Sequence, residues 1–187
     1  NAYYPKANIS EKEFLRFKSE WLIKNSDLNL IEEYLIKNQV INLHPKLTKY
    51  LVDYYLSVAE LEKACQIFKK NLEPISDEYL SKFNIYCLIV DGKKDEAQII
   101  YDLKKELGFK DKYFENKINF LFGFINNPDD KISEKSLLNF HLAHQTNREF
   151  VFDPKASTNK LIWKYLSSHN LLNSFQKIDV TELEKIS

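Results

Sequence analysis

The chain has 187 residues, of which 44% are hydrophobic and 29% are charged, and its 27 basic residues balance its 27 acidic ones. This composition is typical of a soluble globular protein and excludes a disordered chain. No apolar run reaches the roughly 18 residues of a membrane span. Without a basic field, and with only Arg16 and Arg148 to offer guanidinium groups, the chain is not expected to bind nucleic acid.

The first predicted helices lie before residue 40. Ser10 and Glu13 have the spacing of a capping box, in which each side chain bonds the other residue's backbone amide. The helix that follows carries an apolar stripe at helical spacing, made of Phe14, Phe17, Trp21 and Leu22. A second helix is predicted over residues 28–38.

Four helices are predicted between residues 45 and 108. Pro45 suits the first turn of the first helix, Pro74 ends the second, and Ser76-Asp77 caps the third. The third helix, over residues 77–90, is apolar nearly all round, so we expect neighbours to cover it on several sides. Gly108 closes the fourth helix.

The C-terminal part predicts further helices joined by loops. Asp111 caps one helix, a loop follows at 126–130, and further helices are predicted from Ser133 to Thr146 and from Ser157 to Ser168. The start of another helix is predicted over residues 180–187. No strand pair is predicted, and scarce glycine and proline also favour helices.

One pattern occurs twice in the chain, in residues 57–68 and again in residues 90–101. The aligned pairs are Ala64 with Ala97, Ile67 with Ile100, and Phe68 with Tyr101. The two copies are offset by 33 residues. A repeat of this length, with a small residue inside a helix, is typical of stacked helical hairpins. One amphipathic pair cannot bury both of its apolar faces, so stacking is required for a continuous core. The sequence therefore predicts an all-α fold of stacked antiparallel hairpins.

The segment Gly92-Lys93-Lys94-Asp95-Glu96-Ala97, between Tyr86 and Tyr101, resembles a tetratricopeptide (TPR) hairpin. Residues 59–68 resemble it more loosely, since the consensus Trp-Leu-Gly start is missing and Ala59 replaces the turn glycine. The match covers residues 45–108. It implies a right-handed TPR-like α-solenoid, with hairpin repeats over 1–125 and a less regular helical continuation of the same solenoid over 126–187.

Three stretches are also similar to uncharacterised bacterial helical-repeat proteins, chiefly alphaproteobacterial. They are Leu80–Cys87, Gly92–Ala97 and Asn139–Ala143. This resemblance implies a repeat scaffold within a longer parent chain and leaves the bacterial cytoplasm and periplasm both open. Because the sequence begins with Asn1 and contains no methionine, we expect a fragment or a processed product.

Few residues carry recognisable chemistry. His141 and His144 are three apart on a predicted helix, and His169 or Asp153 could supply a third metal ligand. No zinc motif accompanies them, so we expect one partly buried and one surface histidine, with no metal or other cofactor.

Neither the two cysteines nor the rest of the sequence shows a recognisable catalytic motif. Cys65 and Cys87 lie among apolar residues of predicted helices, where we expect two buried thiols, although a disulfide between adjacent helices stays open. The sequence has no phosphate-binding glycine loop, nucleophile elbow or paired carboxylates. We therefore do not expect an enzyme.

The resemblance to TPR proteins also implies a binding surface, because the first helix of each hairpin lines the concave face of such a stack. A candidate peptide groove consists of Tyr50, Asp53, Tyr54, Asn84 and Tyr86. Tyrosine and asparagine suit peptide capture, since they combine contact area with hydrogen bonding. Alternatively, Tyr50 and Tyr54 pack between hairpins.

We therefore expect a non-catalytic scaffold that binds a protein or peptide partner. A structural spacer segment of a larger protein is one alternative, and an enzyme with an unrecognised site is another.

Overall fold

The structure is a computed structural model that describes residues 9–25, 27–38, 41–69, 71 and 73–172. Within these residues it contains nine α-helices and no β-strand, which confirms the predicted all-α class. The helices are α1 (Glu11–Asn25), α2 (Leu28–Asn38), α3 (Pro45–Ser57), α4 (Leu61–Gln66), α5 (Glu78–Val90), α6 (Lys94–Glu106), α7 (Lys112–Phe122), α8 (Leu137–Thr146) and α9 (Lys160–Ser168). No helix in these ranges is long and apolar enough to span a membrane.

Three predicted helix starts are confirmed by their caps. The amide of Ser10 donates to the Glu13 carboxylate at 2.9 Å, and the amide of Glu13 donates to the Ser10 hydroxyl at 3.3 Å. The Asp77 side chain accepts a hydrogen bond from the amide of Leu80, and the Asp111 side chain accepts one from the amide of Phe114. These bonds satisfy amides that have no partner within the helix.

Two C-terminal helices begin later than predicted. The caps of α8 and α9 are Ser136 and Asn159, instead of Ser133 and Ser157. The hydroxyl of Ser133 accepts instead from the Lys135 amide and the Asn139 side chain, within the segment that precedes α8. Several residues with equal capping ability lie close together here, so local chemistry did not decide between them. The helix predicted over 180–187 lies outside the described residues.

The pairs α3–α4 and α5–α6 share the same turn. Ala59 and Gly92, which occupy equivalent positions of the two repeats, both adopt the left-handed conformation, with φ of 63° and 79°. In each turn the next amide donates to the carbonyl five residues earlier, at 2.9 and 2.8 Å. Ala64 and Ala97, the small residues of the repeated pattern, are both fully buried. The sequence repeat therefore corresponds to a repeated helical hairpin.

Exchanging the turn residues is expected to move stability in opposite directions. Ala59→Gly relieves a left-handed alanine and should raise the free energy of unfolding by about 1 kcal/mol. Gly92→Ala should lower it by about the same amount. A β-carbon at Gly92 would meet nothing within 4 Å, so backbone strain is the only expected cost. Urea unfolding measures both, and a shift in the same direction would contradict the shared turn.

One hydrophobic core runs from Ile31 on α2 to Leu166 on α9. The first helices of the hairpins contact one another in order, α3 with α5 and α5 with α7, and α1 also contacts α3. The predicted coverage of residues 77–90 is confirmed, because α5 contacts α3, α4, α6 and α7.

The last two described helices return to the middle of the chain. α8 contacts α7, α3 and α9, and α9 contacts α3. In a linear stack each hairpin contacts only its sequence neighbours. Here α8 and α9 pack against α3, and His141 of α8 also bonds Tyr86 of α5. The sequence assigned the peptide groove to α3 and α5. The solenoid geometry and the division at residue 125 stay predictions.

Candidate functional site

The five predicted groove residues lie in different environments. On α3, Tyr50 is 37% exposed, whereas Asp53 is buried. Tyr54 is half-buried, and the Lys164 ammonium group of α9 lies 3.9 Å from the centre of its ring. On α5, Tyr86 is buried. Part of the predicted surface is therefore covered by the chain's own C-terminal helices.

A hydrogen-bonded row of tyrosines and histidines joins α5 to α8 and α9. The Tyr86 hydroxyl lies 2.7 Å from Nε2 of His141, and Nδ1 of His141 lies 2.7 Å from the Tyr165 hydroxyl. The same hydroxyl lies 2.7 Å from Nδ1 of His144. We call these four residues the histidine–tyrosine cluster.

The histidine–tyrosine cluster is self-consistent when both imidazoles are neutral. A neutral imidazole has one nitrogen that donates and one that accepts. In one arrangement Tyr86 donates to His141, His141 donates to Tyr165, and Tyr165 donates to His144. Reversing all three bonds would leave the hydroxyl proton of the buried Tyr86 without an acceptor in the cluster, so the first arrangement is the more complete one. The cluster thus satisfies buried polar groups where three helices meet.

Burial keeps these imidazoles neutral. Loss of hydration, with smaller contributions from the nearby His169 and His144, lowers the pKa of His141 to about 3. Burial also lowers the pKa values of His144 and His169. The ring of His169 stacks on that of Tyr165, with centroids 3.8 Å apart. Three imidazoles therefore gather around one tyrosine.

The sequence identified the histidine pair and missed its partners. His141 is fully buried and His144 is half-buried, so the expected surface histidine is wrong. The Tyr165 hydroxyl gives both rings a partner away from water, and nothing in the pattern of apolar residues distinguished Tyr165 from an ordinary core tyrosine. Among the described residues, no group of three or more His, Cys, Asp or Glu side chains is placed to hold a metal ion.

Asp53 forms a second polar link between helices. It accepts a hydrogen bond from the Tyr79 hydroxyl of α5. Burial raises the pKa of Asp53 to about 6, although the Tyr79 bond and the charge of Lys49 act in the opposite direction. The Lys49 ammonium group lies 4.4 Å from the centre of the Tyr79 ring. Asp53 therefore faces another helix of its own chain.

Cys65 and Cys87 form a disulfide between α4 and α5, with Cα atoms 5.4 Å apart. The expectation of two buried thiols was correct about burial and wrong about the free thiols, because neither described cysteine is unpaired. A cleft of about 310 Å³ lies beside this disulfide, and Asn84 lines it. Asn84 therefore lies beside the disulfide. The groove residues that contact α8 and α9 are Tyr86 and Tyr54.

Comparisons with known proteins do not place this chain in a family. No family model, curated protein or solved structure matches it. The TPR-like and alphaproteobacterial resemblances therefore stay predictions.

Proposed function

We propose that this chain is a non-catalytic, TPR-like helical-repeat scaffold that binds a partner protein. The repeated hairpin supports the proposal, because stacked helical hairpins create extended surfaces suited to binding. The polar groups at the centre support it too. The members of the histidine–tyrosine cluster bond to one another between helices, and Asp53 bonds to Tyr79 in the same way.

One observation carries the proposal, namely the large apolar side chains on the outer helices. Phe17 and Trp21 on α1 and Ile99, Leu103 and Leu107 on α6 are each more than half exposed. Exposed apolar groups that gather on one helix face mark interaction sites in soluble proteins. Because α8 and α9 cover part of the predicted groove, we propose that the partner binds the exposed apolar residues of α1 and α6 and the exposed Tyr50.

Site-specific photocrosslinking in the native host tests this function. A photoreactive phenylalanine would replace Trp21, Tyr50 or Leu103 in turn, and Lys37, an exposed residue of α2, would serve as the control. We expect a discrete protein adduct from at least one of the first three positions and none from Lys37. Absence of a protein adduct at all three positions would contradict a binding role and favour the spacer alternative.

A further inference from the structure

The outer face of α6 carries a row of aliphatic side chains. Ile99 and Leu103 are 69% and 52% exposed and lie one turn apart on one side of the helix. Leu107, the residue that caps the C-terminus of α6, is 76% exposed and extends this row. The opposite side of α6 supplies Ala97 and Tyr101 to the core. We call Ile99, Leu103 and Leu107 the α6 ridge.

The first hairpin has no aliphatic residue at the one ridge position that its shorter second helix shares. Gln66, the last residue of α4, is equivalent to Ile99 and is exposed in the first hairpin, as Ile99 is in the second. The positions equivalent to Leu103 and Leu107 fall after the end of α4. The exposed apolar row therefore belongs to the second hairpin and is not a feature of the repeat.

A line of carboxylates runs beside the α6 ridge. Asp95, Asp102 and Glu106 are exposed, and their spacings of seven and four place them on one flank of the helix. None of the three has an ion pair within 4 Å in the part of the chain that the structure describes. The flank is therefore an acidic rim that keeps its charge available.

The neighbouring lysines do not neutralise this rim, because other groups hold them. Lys93 pairs with Glu96 at 3.8 Å. The Lys104 ammonium group donates to a backbone carbonyl at 2.7 Å, and Lys105 donates to the Glu115 carboxylate at 2.6 Å. Lys105 attracts Asp102 at longer range, without forming a close pair.

We propose that the α6 ridge docks a basic amphipathic helix of a partner protein. This inference rests on the proposed scaffold function and names the surface and the chemistry of its partner. The apolar stripe of the incoming helix packs against the ridge, in the way that amphipathic helices are generally recognised. Its lysines or arginines lie against the acidic rim, and these charges set its orientation and speed its association.

The charge pattern argues against an antiparallel second copy as the occupant. Two α6 helices packed ridge to ridge in antiparallel orientation, about a two-fold axis, would bring their acidic rims to the same side. Like charges placed together disfavour such a complex.

Binding of model peptides to the purified chain tests the proposal. The probes are a fluorescein-labelled, 14-residue amphipathic Leu–Lys helix and its Leu–Glu counterpart, measured by anisotropy at physiological ionic strength. We expect the wild type to prefer the Leu–Lys peptide. The double variant Ile99→Gln/Leu103→Gln should weaken that binding by about tenfold or more, as is typical of residues central to an interface. Circular dichroism checks that each variant is folded.

Two further variants sharpen the test. Asp95→Lys/Asp102→Lys/Glu106→Lys should reverse the preference in favour of the Leu–Glu peptide. Leu30→Gln/Val151→Gln, which removes comparably exposed apolar groups away from α6, should leave the affinity unchanged. Equal losses in this control and in the α6 variant, no preference between the peptides, or self-association through Leu103 in sedimentation would each overturn the proposal.

The crosslinking experiment separates this inference from the scaffold function. Protein adducts at Trp21 or Tyr50, with none at Leu103, would leave the scaffold function standing and overturn docking at the α6 ridge. Absence of adducts at all three positions would overturn both.

Discussion

Reduction of the Cys65–Cys87 disulfide is expected to lower the free energy of unfolding by about 3 kcal/mol. The bond links residues that are 22 apart in sequence, so it restricts the unfolded chain by closing a loop of that size. For a chain of this length the loss corresponds to a fall in Tm of roughly 6–12 °C. Calorimetry with and without reductant measures it, and a thiol assay shows whether both cysteines are free.

The variant Cys65→Ala/Cys87→Ala is the control, because its Tm should not respond to reductant. If the wild type releases two thiols and keeps its Tm, the disulfide does not stabilise the junction of α4 and α5.

Acid is expected to destabilise the wild type more than His141→Gln, by about 2–3 kcal/mol between pH 7 and pH 4.5. Burial lowers the folded-state pKa of His141 from 6.5 to about 3. The folded imidazole therefore stays neutral while the unfolded one takes up a proton. Its contribution is fully present above pH 6.5 and is lost as the pH falls towards about 3.

Burial determines the sign of this effect, and the groups that surround His141 do not reverse it. Tyr86 faces it from α5, and Tyr165 faces it from α9. His169 caps the C-terminus of α9 beside it, and His144 accompanies it on α8. No carboxylate contributes to the pKa of His141, so nothing compensates a proton on the ring.

Asp53 has the opposite effect on stability in acid. Its folded-state pKa is raised to about 6, so the folded protein binds a proton that the unfolded chain takes up only at lower pH. Its contribution therefore increases stability as the pH falls from about 6 towards 4. Both proteins retain Asp53, so the difference between their urea-unfolding curves isolates His141. Parallel dependence of stability on pH would contradict a neutral, buried His141.

The helices could be predicted because their signals are local. Asp77 and Asp111 cap helices where the sequence places them, and the Ala64–Ala97 repeat corresponds to a repeated hairpin. The return of α8 and α9 could not be predicted in the same way. It depends on contacts such as that between Tyr54 and Lys164, which lie far apart in the sequence and leave no periodic pattern.

The polar residues of the candidate site were harder to interpret than the helices. Asp53 has the side chain of a surface residue, and it is buried because Tyr79 on another helix supplies a hydrogen-bond donor. Tyr165 has the spacing of a core aromatic residue, and its hydroxyl nevertheless joins His141 to His144. In both cases the deciding partner lies on a helix that sequence reasoning could not place nearby.

The packing of α8 and α9 against α3, together with the Tyr86–His141 bond to α5, covers part of the predicted groove, and NMR tests this packing most directly. The account predicts nuclear Overhauser effects between the ring of Tyr86 and that of His141. It also predicts effects between the Tyr54 ring and the ε-methylene protons of Lys164, which the ring should shift upfield. Random-coil shifts for Lys164, with no such effects in a folded protein, would contradict the account.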